Sequence, residues 1–129
     1  MDIQKKTILL VDDDPLIIRM YQVKLSNDGY DVDVAANGEE ALIAVRKHKP
    51  DLILLDLMMP KMNGVETLQE LRADELTRNI KVLILTNLED KGGGNLEKAK
   101  KMGALDYLIK AEIDLKTLSE KVKSILGGS

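Results

Sequence analysis

The sequence contains no cysteine, no tryptophan and no phenylalanine, and its only aromatic residues are three tyrosines. The absence of cysteine excludes disulfides, thiol nucleophiles and cysteine-ligated metal centres. The shortage of aromatic rings leaves little surface on which a flat ring could stack. The N-terminus lacks the basic-then-apolar pattern of a signal peptide, and no apolar run approaches a membrane span. The cytoplasm is therefore the expected location.

The composition is typical of a soluble globular protein. Of the 129 residues, 44% are hydrophobic and 32% are charged, which suits one domain around a single core. The formal net charge is −3 and no basic stripe stands out, so direct binding to nucleic acid is not favoured. We assign residues 1–126 to the domain and residues 127–129 to a flexible tail or a remnant of cloning.

Short apolar runs alternate five times with stretches of helical periodicity. The predicted strands are Thr7–Val11, Tyr30–Ala35, Leu52–Asp56, Lys81–Leu85 and Asp106–Ile109. The predicted helices cover residues 15–26 and 39–48, a stretch containing Val65, Leu68 and Leu71, a lysine-rich stretch with Leu96 and Ala99, and residues 115–126. This alternation predicts an α/β fold, a doubly wound five-stranded parallel sheet of the flavodoxin-like kind with helices on both faces.

The first helix has clear limits and a clear apolar side. Pro15 suits its first position and Asp14 suits its N-cap. Helical spacing predicts an inward face made of Ile17, Met20, Tyr21 and Leu25.

The central feature is the run Leu52–Asp56, four apolar residues that end in a single carboxylate. Such a run fits a strand buried on both faces of a parallel sheet. A carboxylate at its end lies at the C-terminal edge of the sheet, where open α/β folds bind ligands. We therefore predict that Asp56 is the reacting group.

Polar residues also end three other predicted strands, namely Asp12 and Asp13, Thr86, and Lys110. A strand order of 2-1-3-4-5, inferred from this pattern, would bring all of them to the edge that holds Asp56. Two unit charges about 4 Å apart repel by roughly 4 kcal/mol at an effective dielectric constant near 20, so three carboxylates need a counter-charge. Carboxylate, carbonyl and water oxygens suit Mg²⁺, and Lys110 would add a further positive charge.

This arrangement predicts phosphoryl transfer to Asp56. Lys110 would bind one phosphoryl oxygen and the Thr86 hydroxyl another, while Mg²⁺ offsets the charge. The product would be an aspartyl phosphate.

From Thr7 to Leu126 the sequence resembles the receiver domains of two-component response regulators, of the single-domain chemotaxis-regulator type. The motif residues are Val11–Asp13, Asp56, Met59–Gly64, Thr86, Gly103–Ala104 and Tyr107–Lys110. The resemblance implies that Asp56 accepts a phosphoryl group from the phosphohistidine of a sensor histidine kinase or phosphotransfer protein. It also implies that Asp12, Asp13, Asp56 and the backbone carbonyl of Met58 hold Mg²⁺.

The resemblance further implies a switch rather than an enzyme. Thr86 and Tyr107 would shift inward together on phosphorylation and remodel the face formed by the fourth helix, fifth strand and fifth helix. That face would recruit or release a downstream protein partner, without direct contact to nucleic acid or membrane. The expected activities are limited to self-phosphorylation and self-dephosphorylation, and the expected assembly is a monomer or a weak dimer.

Three positions depart from the family pattern. Ala111 follows Lys110 where most relatives have a cis-proline, so we expect a trans or strained peptide, since a cis bond without proline costs about 2.5–4 kcal/mol. Asn87 replaces a small residue and could narrow access to the site. The run Gly92–Gly94 should leave its segment mobile or shifted, because glycine costs about 1 kcal/mol in a helix.

Three other functions stay open. An aspartate-dependent phosphatase requires a second aspartate two residues after the nucleophile, where this chain has Met58. A flavodoxin-like electron carrier requires a phosphate loop after the first strand and aromatic residues around the flavin, and Asp12–Asp14 would repel the phosphate. A degenerate receiver would act only as a binding module, although the full set of site residues counts against it.

Each candidate residue also has a purely structural interpretation. The acidic run could be a solvated turn that caps a helix, and Thr86 and Lys110 could be ordinary strand-end residues. Tyr107 could simply be a half-buried packing residue, and we expect His48 to be exposed and structural.

Overall fold

The computed structural model describes residues 5–59, 61–87, 95–110 and 114–127. The five strands are β1 (Thr7–Val11), β2 (Asp31–Ala35), β3 (Leu52–Asp56), β4 (Lys81–Thr86) and β5 (Asp106–Ile109). The five helices are α1 (Pro15–Asn27), α2 (Gly38–Lys47), α3 (Gly64–Ala73), α4 (Asn95–Lys101) and α5 (Leu115–Leu126). All strands are parallel and their order is β2-β1-β3-β4-β5, which confirms the predicted fold class and strand order.

Two interior strands, β1 and β3, show why their sequences are continuous apolar runs. Every residue of β1 and β3 is buried, because helices cover both faces of the sheet. Successive side chains of β1 enter opposite clusters: Leu9 packs in one hydrophobic cluster, and Ile8 and Leu10 pack in the other. Helices α2, α3 and α4 supply the first cluster, and α1 and α5 supply the second. No helix in the described part of the chain is long and apolar enough to cross a membrane.

Side-chain caps fix where the helices near the carboxyl edge of the sheet begin. The Asp14 carboxylate accepts hydrogen bonds from the backbone N–H groups of Leu16 and Ile17, which confirms Asp14 as the N-cap of α1. Asn63 and Glu66 form a reciprocal capping box at the start of α3. These caps satisfy N–H groups that a helix start would otherwise leave without partners.

The predicted inward face of α1 was wrong at one position, Met20. Met20 is 40% exposed, whereas Ile18 packs against the cluster beneath the helix. The buried residues Tyr21 and Leu25 lie three and seven positions after Ile18, which is one stripe of the helix, and Met20 is about 100° away from Tyr21.

Other predictions on local structure had mixed outcomes. His48 is exposed as expected, with Nδ1 at 3.9 Å from a carboxylate oxygen of Asp33. Gly127 caps α5 in the left-handed conformation, with φ of 65°, so it ends the helix. The peptide between Lys110 and Ala111 and the run Gly92–Gly94 lie outside the described residues.

Candidate functional site

The carboxyl ends of four strands meet at one edge of the sheet, hereafter the site edge. Asp12 follows β1, Asp56 ends β3, Thr86 ends β4 and Lys110 follows β5. Asp12, Asp56 and Thr86 are buried, while Asp13 is exposed beside them. The sequence therefore predicted correctly which strand ends carry polar residues to this edge.

Three carboxylates form an acidic cluster made of Asp12, Asp13 and Asp56. One oxygen from each residue lies within 4.8 Å of the others. Asp12 and Asp56 are 0% and 1% exposed, so water screens their mutual repulsion poorly. Their backbone surroundings fix both groups, because Asp12 Oδ1 accepts from the N–H of Asp14 at 2.9 Å and Asp56 Oδ1 from that of Met58 at 3.2 Å.

Lys110 bridges the two buried carboxylates. Its Nζ donates to Asp12 Oδ2 at 3.0 Å and to Asp56 Oδ2 at 3.4 Å. Burial opposes the charge of Lys110, but the hydrogen bond to Asp12 and the attraction of Asp56 outweigh it and raise the pKa of the ammonium group. The lysine therefore stays a cation, as the predicted counter-charge requires.

One lysine does not neutralise the acidic cluster. Burial, and then repulsion from Asp12, raise the pKa of Asp56 from 3.8 to about 7 even though Lys110 and the Met58 N–H act in the opposite direction. The carboxylate oxygens of the acidic cluster therefore still lack enough positive charge beside them. Three such oxygens within reach of one point are the donor set of a hard divalent cation, so these residues fit Mg²⁺.

Thr86 lies beside the acidic cluster, at the end of β4, the strand next to β3. It follows Leu85, the residue that pairs with Asp56 across β3 and β4. The Thr86 hydroxyl donates to the carbonyl of Asn87 at 3.3 Å. The side-chain oxygen of Asn87 is buried and has no hydrogen-bond partner among the described residues, so it offers a free acceptor next to the site.

Tyr107 lies on β5, away from the acidic cluster. Its ring is half-buried and packs at the border of the core cluster that includes Ile84, and Lys100 Nζ is 5.0 Å from the ring centroid. Such a cation over an aromatic ring is stabilising. Its predicted role as a switch residue, like the predicted carbonyl ligand at Met58, stays a prediction.

The surroundings of two residues near the site, Tyr21 and Gly64, were not predicted from the sequence. The Tyr21 hydroxyl is buried and has no hydrogen-bond partner in the described part of the chain, and burial followed by repulsion from Asp12 raises the pKa of Tyr21. Gly64 lies so close to β3 that a Cβ there would be 2.4 Å from the Asp56 carbonyl oxygen and 2.7 Å from Leu57 Cα. In the sequence, the only sign of this close approach is that position 64 is a glycine.

Solved structures of known proteins share this fold. The chemotaxis response regulator CheY4 of Vibrio cholerae has a TM-score of 0.85 and 30% identity, covering 95% of this chain and 99% of that one. A CheY-like receiver domain protein from Methanospirillum hungatei has a TM-score of 0.84 and 31% identity, covering 96% and 95%.

Comparison with curated proteins gives longer relatives. The DNA-binding response regulator MtrA of Mycolicibacterium smegmatis is 40% identical over 110 residues, which is 85% of this chain and 46% of MtrA. The regulator of alkaline phosphatase synthesis PhoP of Bacillus subtilis is 39% identical over 121 residues, 94% of this chain and 48% of PhoP. The chain thus spans about half the length of these relatives.

The family model described as response regulator receiver domain matches residues 8–123, from β1 into α5 and so across every strand of the site edge. The fold, the residues at the strand ends and the relatives all indicate the same family. The chain belongs to the response regulator receiver domains of two-component signalling.

Proposed function

We propose that this receiver domain is a phosphoacceptor switch in which Asp56 takes a phosphoryl group from the phosphohistidine of a sensor histidine kinase or phosphotransfer protein. The observation that carries the proposal is the placement of Asp56. It ends the central strand β3, belongs to the acidic cluster and lies 3.4 Å from the Lys110 ammonium group.

The transfer needs positioning and charge more than covalent chemistry. An Asp56 carboxylate oxygen forms the bond to phosphorus while the phosphorus–nitrogen bond of the phosphohistidine breaks, and its electron pair returns to the imidazole. Lys110 is already a cation beside the acceptor and can bind a phosphoryl oxygen by leaving Asp12. The Thr86 hydroxyl can donate to another phosphoryl oxygen by giving up its 3.3 Å bond to the Asn87 carbonyl.

The metal requirement follows from the same charges. Asp12, Asp13 and Asp56, with the backbone carbonyl of Met58, would hold Mg²⁺, which when bound supplies positive charge for both the carboxylates and the phosphoryl group. The raised pKa of Asp56 supports this requirement, because without added positive charge the proposed acceptor is only partly ionised at neutral pH.

The output proposal rests on Thr86 and Tyr107. Both residues lie on adjacent strands, Thr86 at the end of β4 and Tyr107 in β5, whose register pairs Ile84 with Tyr107. A shift of Thr86 toward a phosphoryl group on Asp56 would open space that the Tyr107 ring can enter. The face of α4, β5 and α5 would change as a result and bind or release a downstream protein.

One observation counts against each of the three competing functions. Met58 stands where an aspartate-dependent phosphatase requires its general acid, and its side chain is 48% exposed. The first strand leads into the acidic cluster rather than into a loop suited to a flavin phosphate. A receiver that only binds partners would have no need for a partly buried lysine between two buried carboxylates.

Incubation with acetyl phosphate and Mg²⁺, followed by intact-mass measurement, tests the proposal. The native chain should gain the mass of one phosphoryl group, and the Asp56→Asn variant should gain none. An unchanged mass for the native chain, or the same gain for Asp56→Asn, would overturn the assignment of the acceptor.

A further inference from the structure

A groove between α2 and α3 has walls of opposite charge. Arg46 and Lys49, at and after the end of α2, line one wall, and Glu70, Asp74 and Glu75, at and after the end of α3, line the other. Within the described ranges no hydrogen bond or ion pair joins either basic side chain to any acid of the opposite wall.

An exposed apolar side chain lines the same groove. Leu76 lines both depressions of the groove and is 77% exposed, the highest value among the large hydrophobic residues of the described chain. One exposed leucine is unremarkable in itself. An exposed leucine flanked by unpaired charges of opposite sign is a surface that a partner can cover with both apolar and ionic contacts.

We propose that a second copy of this chain occupies the α2–α3 groove in a two-fold symmetric, reversible dimer. In a two-fold symmetric dimer both copies use the same surface patch, so that patch must be complementary to itself. With the axis along the groove, the Arg46 and Lys49 wall of one copy meets the Glu70 and Glu75 wall of the other, twice. Leu76 then meets Leu76 of the second copy close to the axis.

The location keeps this interface separate from the proposed phosphoryl chemistry. In a parallel α/β sheet the helices run against the strands, so the ends of α2 and α3 lie at the edge opposite Asp56. The largest exposed apolar contact that the groove offers is Leu76, and exposed ion pairs contribute little, so we expect a weak dimer. Such a dimer shows as a dependence of mass on concentration.

Sedimentation equilibrium over a range of concentrations provides the first test. The weight-average mass of the native chain should rise from 14.3 kDa toward twice that value, and Leu76→Ser should hold it near the monomer. Leu105→Ser is the matched control, because Leu105 is also exposed, at 54%, but lies between α4 and β5. A native chain that stays monomeric throughout, or a dimer lost in Leu105→Ser and kept in Leu76→Ser, would overturn the proposal.

A charge-reversal pair tests the symmetry itself. The double variant R46E/K49E has two acidic walls, and E70K/E75K leaves a largely basic surface, so each alone should be monomeric. Mixed together they should form a dimer at least as readily as the native chain, because every contact across the two-fold axis is then between opposite charges. Circular dichroism confirms that each variant is folded. Folded variants that fail to associate when mixed would overturn the two-fold arrangement.

Discussion

Lys110 is held more closely by Asp12 than by Asp56, with Nζ–Oδ2 distances of 3.0 Å and 3.4 Å. These residues follow or end β5, β1 and β3, so the lysine side chain connects an edge strand of the sheet with two interior strands. Its charge thus stands between a carboxylate that we expect to bind metal and the one that we expect to react. The ionisation of Asp56 consequently depends on Lys110.

Replacing Lys110 with methionine should raise the pKa of Asp56 above its value of about 7, because the ammonium group is one of the influences that lower it. Phosphorylation by acetyl phosphate at neutral pH should fall by about tenfold for each unit by which the pKa of Asp56 rises, because the ionised carboxylate is the proposed acceptor. Carbon-13 NMR of the aspartate carboxyl groups against pH gives the pKa directly. Lys101→Met, which removes an exposed lysine of α4, should change neither quantity.

Asp56→Asn should stabilise the fold in metal-free buffer, increasingly so as the pH rises. The folded-state pKa of Asp56 is about 7 against 3.8 as the ordinary value, so between these limits the folded chain binds a proton that the unfolded chain has lost. The contribution of Asp56 to stability therefore falls as the pH rises from about 4 to about 7, by up to about 4 kcal/mol. Asparagine removes this dependence.

Urea unfolding of both proteins across that pH interval measures the difference. The gain from Asp56→Asn should be small at the acidic end and largest above the folded-state pKa. Saturating Mg²⁺ should reduce it, because a bound cation favours the ionised carboxylate. A gain that is independent of pH would show that Asp56 is not strained by its buried charge.

Gly64→Ala should damage the site through the backbone. The added Cβ would lie 2.4 Å from the Asp56 carbonyl oxygen and 2.7 Å from Leu57 Cα, and neither backbone atom can move without displacing the end of β3. We expect a loss of stability of about 2 kcal/mol, within the range of overpacked sites, together with slower phosphorylation. Gly29→Ala is the control, because a Cβ there meets nothing within 4 Å and only the backbone conformation is strained. Equal effects of the two variants on phosphorylation would contradict the expectation.

Arg72→Met should destabilise the domain by about 3 kcal/mol. The guanidinium group donates to the carbonyls of Met102 at 2.7 Å, Arg78 at 2.9 Å and Ile80 at 3.0 Å, and so ties α3 to the segments before β4 and β5. Methionine leaves these acceptors without their donor, at a cost of about 1–3 kcal/mol for each one that stays buried. Urea denaturation measures the loss, and Arg78→Met, at an exposed side chain, should stay within about 0.5 kcal/mol of the native chain.

The strands and the site edge could be predicted because their signals are local. Leu52–Asp56 carries both the buried strand and its terminal carboxylate in five consecutive residues, and Asp14 with Pro15 marks a helix start in two. Parallel alternation then places the strand ends at one edge. Asp12, Asp56 and Lys110 consequently converge as the pattern predicts.

The features that could not be predicted depend on distances across the sheet. Whether Lys110 binds Asp12 or Asp56 more closely depends on how far its side chain reaches over the intervening strands. Arg72 contacts carbonyls up to 31 residues away, which no periodicity records. Met20 and Ile18 are both apolar, so only the rotation of α1 on the sheet decides which one packs against the core.

The location of the phosphoryl group tests the central claim most directly. After treatment with acetyl phosphate and Mg²⁺, borohydride reduces an aspartyl phosphate to homoserine, and peptide mass spectrometry identifies the reduced position. We expect homoserine in place of Asp56 alone. Homoserine in place of Asp12 or Asp13, with Asp56 unchanged, would contradict the assignment of Asp56 as the acceptor.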